Sequence, residues 1–280
     1  MPGWGVELPA ERVLEEIAAL GIRATEFGPL GYLGADPAAV VALLERHGLE
    51  LVGGFFPVVL HDAASLDASL ELARRTADLY AACGGAVLVS APVLDEAWSR
   101  PRPLSDGEWE CLLGGLARLD EVAADAGLRN VVHPHAGTLV ESADDVRRVL
   151  EGSDSRLCLD TGHLAIGGAD PVALAREVPE RIGHVHLKDV RLEVARRLRA
   201  GETTLVDAVR DGLFQPLGAG DVPVADAVVA LEGAGYEGWY VLEQDVALDA
   251  EPPAGEGPVD DVRRSIDFLS NLLGREVRRA

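Results

Sequence analysis

The stretch RHGLELVGGFF, residues 46–56, changes its periodicity across one glycine. Up to His47 the apolar residues follow helical spacing, and beyond Gly48 they form a short apolar run of strand length. Glycine just past a helix is the usual left-handed cap, and the apolar residue after it starts a buried strand. The same turn recurs in ALGIRATEF (19–27), ACGGAVLVS (82–90), DAGLRNVVHPH (125–135) and GAGYEGWYVLEQ (233–244). Working outward from these turns gives strands at 3–6, 22–27, 50–56, 86–90, 130–135, 156–160, 182–188 and 238–243. Each is followed by a helical segment such as PAERVLEEIAAL (9–20) or SADDVRRVLEG (142–152). Alternation of this kind implies a parallel sheet, and eight units imply closure into a (β/α)8 TIM barrel. The first strand is expected to be short. The long 190–220 segment is expected to form an excursion at one end of the barrel. No GxGxxG follows the first strand, so a dinucleotide fold has little support. The 280 residues show no linker or composition break, so residues 1–280 are expected to form a single barrel domain.

Bulk composition narrows the function. A formal net charge of −22 disfavours nucleic acid or an anionic membrane surface as partner and is indifferent to a neutral sugar-like molecule. No apolar run approaches a membrane span and no signal-peptide pattern is present. The three cysteines, Cys83, Cys111 and Cys158, suit neither a disulfide framework nor a CxxC metal site, so a reducing cytoplasm is the simplest compartment. Apolar helix exteriors are compatible with a homo-oligomer.

The ionisable residues cluster at strand ends. Five of the seven histidines lie between 133 and 186. Strand alternation puts His133 and His135 on one face, Cys158 and Asp160 on another, and His184, His186 and Lys188 together toward the barrel interior. Val241 and Glu243 share a face, and His163 follows Asp160 in the loop. Lys188 is the only lysine among 25 basic residues. Singly, each histidine could be a hydrogen-bonded core residue, Asp160 could simply cap a helix, and Glu141 and Glu243 could be solvated. Jointly, carboxylates and imidazoles crowded at one barrel mouth call for a cation. Carboxylates with one histidine suit Mn²⁺, Co²⁺ or Mg²⁺ better than a thiolate-type zinc site.

The set TEFGPLGYLG (25–34), HPHAGTLVES (133–142), CLDTGHLAIGGADP (158–171), HVHLKDV (184–190), GLFQPLGAGDV (212–222) and YVLEQD (240–245) resembles the inosose dehydratase family. That family belongs to the xylose-isomerase-like sugar isomerase/epimerase barrels. The resemblance runs through nearly the whole chain in the same order. It departs from the family in the clipped start and at Ala219, where an acidic residue is usual.

The resemblance implies a divalent metal, commonly Mn²⁺ or Co²⁺ with Mg²⁺ or Zn²⁺ as alternatives. The ligands it carries over are Glu141, Asp160, His186 and Glu243. Where many relatives have a liganding glutamate at the fifth strand end, this chain has His133, and Glu141 is the favoured fourth ligand. The implied reaction is dehydration of a keto-inositol (2-keto-myo-inositol) in inositol catabolism, through α-proton abstraction and loss of hydroxide. Glu141, Glu243, His133 or His135 would be the base, and Lys188 or His163 would help hydroxide leave. Trp4 and Glu26 would hold the polyol ring, with His135, His163 and Lys188 also in contact with it. Ketose isomerisation or epimerisation starts with the same proton abstraction and is the alternative. A non-catalytic polyol-binding barrel is a weaker one, and the charge disfavours a DNA-repair endonuclease.

Overall fold

The computed structural model describes residues 4–274. Seven parallel strands lie in the order β1 (Ala24–Glu26), β2 (Glu50–Val58), β3 (Val87–Pro92), β4 (Arg129–Val132), β5 (Arg156–Asp160), β6 (Ile182–Leu187) and β9 (Tyr240–Leu242). Helices alternate with them and the sheet nearly closes into a barrel. The strand expected at 3–6 is the exception. Gly3 lies outside the described residues, and the eighth stave is reduced to one parallel bridge between Gly5 and Leu248. The reason is local: Gly5 has φ of 92°, off strand geometry, so the chain touches its neighbour once and turns away.

The glycine stops behave as the sequence predicts. Gly48, Gly84, Gly127 and Gly235 have φ of 65°, 88°, 79° and 79°, the left-handed region that ends a helix without a Cβ penalty. Helix starts are equally explicit. Ser105 and Glu108 form a reciprocal capping box at the head of α4 (Asp106–Asp125), and Ser142 and Asp145 do the same for α5 (Ala143–Gly152).

Strand alternation divides the core into two layers. Val87, Val89, Val131 and Cys158 pack together with Phe55 in the barrel interior. Leu157, Leu159, Val185 and Leu187 instead face the helix layer. The fourth strand stops at Val132, short of the expected 135, because Pro134 has no N–H to continue a ladder. His133 and His135 therefore stand on the loop above it. Beyond β6 the chain makes its predicted excursion. β7 (Asp189–Val190) pairs antiparallel with β8 (Phe214–Gln215), enclosing α8 (Leu192–Arg199) and α9 (Leu205–Arg210). No helix among the described residues is long and apolar enough to cross a membrane.

Candidate active site

The DTGH segment shows how local sequence builds the site. Asp160 ends β5 and caps α6 (Thr161–Gly167), its Oδ1 accepting the His163 N–H at 2.7 Å. Its Oδ2 faces the barrel mouth, where His133 Nε2 meets it. Thr161 Oγ1 donates to the Lys188 carbonyl at 2.7 Å and accepts the Lys188 N–H at 2.9 Å, which ties β5 to the end of β6. Gly162 leaves room for the lysine stem, since a Cβ there would sit 2.8 Å from Lys188 Cγ. Asp160 thus both caps a helix and faces the site, joining the two roles its sequence context allows.

His186 is the centre of the cluster and fully buried. Its Nε2 lies 3.0 Å from Glu26 Oε1, and the same oxygen takes His184 Nε2 at 2.8 Å. Donation to Glu26 leaves His186 Nδ1 with its lone pair, 3.1 Å from Glu243 Oε1 and 3.9 Å from Asp160 Oδ2. Neither oxygen is aligned for a hydrogen bond, so this buried nitrogen has no hydrogen-bond partner. A lone pair facing two carboxylates is repulsive unless a cation or a proton stands between them. Donors about 2.1 Å from one cation, roughly 90–110° apart, are separated by about 3.0–3.4 Å; the 3.1 Å spacing to Glu243 falls in that range and the 3.9 Å spacing to Asp160 is wider. Burial opposes charge on His186, yet Cys158, Glu243 and Glu26 outweigh it and raise its pKa well above the ordinary imidazole value. The same field that attracts a proton attracts a metal ion. Burial also opposes the charge on Glu26, but His186 and His184 outweigh it and hold its carboxyl down at about 2.

Asp160, His186 and Glu243 therefore form a group able to hold a metal. His133 stands beside them, its Nε2 3.3 Å from Asp160 Oδ2 and its Nδ1 buried without a partner. Glu141, the expected fourth ligand, is in none of the metal-competent groups among the described residues. Its Oε2 is captured by the Gly137 N–H at 2.9 Å, and the residue lines a surface cavity of about 380 Å³ with Arg102, Arg148 and Arg199. Burial raises its pKa. The physical reason is the tight 135–141 turn, whose amide claims the carboxylate locally.

Lys188 is 1% exposed, and its ammonium reaches Glu243 Oε2 at 2.7 Å and Asp245 Oδ2 at 2.8 Å. Burial works against its charge, but Asp245, Glu243 and Asp160 outweigh it and raise its pKa. His163 Nε2 lies 3.0 Å from the same nitrogen. Because His163 Nδ1 accepts the Ala136 N–H at 3.2 Å, a neutral His163 carries its proton on Nε2. Burial, His135 and Lys188 all push the His163 pKa down, which keeps it neutral. The Lys188 ammonium and His163 Nε2 are thus in direct contact, with the ammonium also held by Glu243 and Asp245.

His135 stacks on His163 with ring centroids 3.7 Å apart, and its Nδ1 donates to the Ala136 carbonyl at 2.8 Å. That fixes the tautomer with the Nε2 lone pair free. Burial first, then His133 and Lys188, hold its pKa down at about 3. Glu26, expected to hold substrate, gives its Oε1 to two histidines. Trp4 is half-buried against the core beside the Gly5 bridge.

Sequence reasoning missed the aromatic wall. Trp98, whose φ of 57° is the one left-handed non-glycine value among the described residues, stacks on Phe55 at 6.0 Å and meets His135 edge-on at 6.1 Å. It also missed Asp245, although alternation from Glu243 in YVLEQD puts the two on one face.

Comparison with known proteins agrees with the barrel fold. The model of the xylose isomerase-like TIM barrel family matches residues 14–272. An inosose dehydratase of Geobacillus kaustophilus is 32% identical, over 98% of this chain and 90% of its own. Among solved structures, a probable 3-DHS dehydratase of Bacillus anthracis superposes with a TM-score of 0.73 at 15% identity, covering 96% of each chain. A D-allulose 3-epimerase from Methylomonas sp. superposes with a TM-score of 0.70 at 19% identity, over 94% of this chain and 91% of its own. Both superpositions speak to the fold alone. The chain belongs to the xylose isomerase-like TIM barrel family, with inosose dehydratase among its relatives.

Proposed function

We propose that this protein is a metal-dependent hydro-lyase that dehydrates a keto-inositol, 2-keto-myo-inositol being the substrate its relatives suggest. The observation that carries the reading is the orphaned His186 Nδ1 between Asp160 and Glu243, beside the Lys188 ammonium and its 3.0 Å contact with His163 Nε2. Asp160, His186 and Glu243 hold the metal, with His133 rather than Glu141 as the fourth ligand. The mixed carboxylate and imidazole set suits Mn²⁺ or Co²⁺. A cation so held supplies positive charge next to the oxygen on which negative charge develops.

The remaining steps fall to the chain's own groups. His135 Nε2 takes the proton from the carbon between the ketone and the departing hydroxyl. Its low pKa keeps it in the accepting form, at some cost in basicity. The C–H pair becomes the new double bond as the C–O pair leaves with hydroxide. Lys188 donates the proton with which hydroxide departs as water, while His163 Nε2–H orients the leaving oxygen. Phe55 and Trp98 offer a flat apolar wall to a ring. Three free thiols fit a reducing cytoplasm.

The test is to incubate purified protein with Mn²⁺ and 2-keto-myo-inositol and follow the enone absorbance. Dehydration with dependence on Asp160 and Glu243 supports the reading. Turnover without loss of water would make the protein an isomerase or epimerase and overturn it.

A further inference from the structure

The segment GLFQPLGAGDV has no part in the chemistry above, yet it closes around one buried acid. Asp189 is fully buried, and all four partners of its carboxylate are backbone N–H groups. Oδ1 accepts from Val190 at 2.9 Å and Val222 at 3.0 Å, and Oδ2 accepts from Gly218 at 2.9 Å and Gly220 at 3.0 Å. A side chain on Gly220 would collide with Asp189 Oδ1, and one on Gly218 would strike the Phe268 ring. The two glycines are therefore the condition for the turn to wrap the carboxylate. The Asp221 N–H donates to the Val190 carbonyl at 2.9 Å, and Val190 pairs with Phe214. Phe214 lies with its ring 4.8 Å from Lys188 Nζ and 6.0 Å from the His163 ring centroid.

We propose that Asp189 is a positioning residue: three of its four N–H bonds, from Gly218, Gly220 and Val222, hold the 214–222 turn so that Phe214 covers Lys188 and keeps the Lys188–Glu243 pair dry and aligned. Lys188 and Asp189 are neighbours on a strand-like segment, so one faces the site and the other faces the turn. A ring over an ammonium favours the charge while excluding water. Water reaching Nζ would compete for the donors that meet Glu243 and Asp245, and the ion pair would loosen. An amide at 189 offers one acceptor oxygen, and its NH₂ would face two N–H donors, so at least part of the latch is lost. The inference rests on reading this mouth as an active site only for its consequence on turnover.

The single lysine makes the test direct. Reductive dimethylation with ¹³C-formaldehyde on the whole metal-free protein reads Lys188 as the one side-chain amine, by peptide mass and NMR. In Asp189→Asn and in Phe214→Ala, Lys188 should be modified roughly tenfold faster than in the natural protein, since local opening sets the rate at a buried amine. With metal and substrate, kcat should fall about tenfold while KM changes little, because alignment rather than binding is lost. Gly220→Ala, which displaces the carboxylate from the other side, should reproduce both effects. It serves with Phe214→Ala as the test if Asp189→Asn fails to unfold cooperatively. Unchanged Lys188 labelling in cooperatively folded variants would overturn the proposal, as would lost turnover without faster labelling. Labelling is measured without metal or substrate, so a failed dehydration assay would sink the proposed function and leave this result standing.

Discussion

Replacing Glu26 should weaken metal binding although Glu26 lies outside the Asp160, His186 and Glu243 group. Its Oε1 takes both His184 Nε2 at 2.8 Å and His186 Nε2 at 3.0 Å, and only the second bond lies on the path to the site. Glu26→Gln keeps an acceptor oxygen but makes it neutral. A hydrogen bond to a charged group contributes about 1.5–3 kcal/mol and a neutral one about 0.5–1.5. The His186 bond alone should then lose about 1–1.5 kcal/mol of orientation and ligand basicity. That is about a tenfold rise in the Kd for metal, at the lower end of the roughly 10–100-fold range typical of outer carboxylates on liganding histidines. Glu26→Ala removes the acceptor, leaves two buried imidazole N–H groups unpaired, and should reach the upper end of that range. Titration of the metal-free protein with Mn²⁺ by calorimetry reads this without reference to turnover. An Ala variant that binds Mn²⁺ as tightly as the natural protein would refute the claim that Glu26 aims His186. A raised KM with unchanged metal affinity would return Glu26 to the substrate-binding role its sequence position suggests.

Other outcomes follow from the same geometry. Asp160→Ala and Glu243→Ala should each abolish metal-dependent turnover, by about 10³-fold or more, and lower bound metal measured by elemental analysis. Gly162→Ala should cost about 1–3 kcal/mol by urea unfolding, because its Cβ would press on the Lys188 stem at 2.8 Å. The half-buried Glu108 is held down to about 2 by Arg102 and by the Ser105 groups of its capping box. A depressed carboxyl stabilises the fold above its unfolded pKa of 4.5, and that contribution is lost as pH falls toward 2. Glu108→Gln should therefore narrow the difference in urea midpoint between pH 6 and pH 3 relative to the natural protein. Chelation before a thermal scan should lower Tm if the metal binds only the folded chain, and added Mn²⁺ should restore it.

The barrel was legible because its signals are local. A glycine that must leave a helix with positive φ, followed by a buried strand, can be read at Gly48 or Gly127 with no knowledge of the rest of the chain. Strand alternation likewise puts His184, His186 and Lys188 on one side. The opening strand shrinks to a single bridge because pairing there depends on what faces Gly5, and among the described residues Leu248 alone bridges to it. The site divides along the same line. Residue type and spacing brought Asp160, His186, Lys188 and Glu243 to one mouth. Which oxygen meets which nitrogen depends on turns and on strands far apart in sequence. A Gly137 amide holds Glu141 in its own loop, Glu26 spends its oxygen on two histidines more than 150 residues away, and Phe214 reaches Lys188 through a turn folded around Asp189. Sequence settled which groups could share a face; tertiary structure decided who bonds to whom, because a hydrogen bond is fixed to tenths of an ångström and periodicity only to a side of a strand.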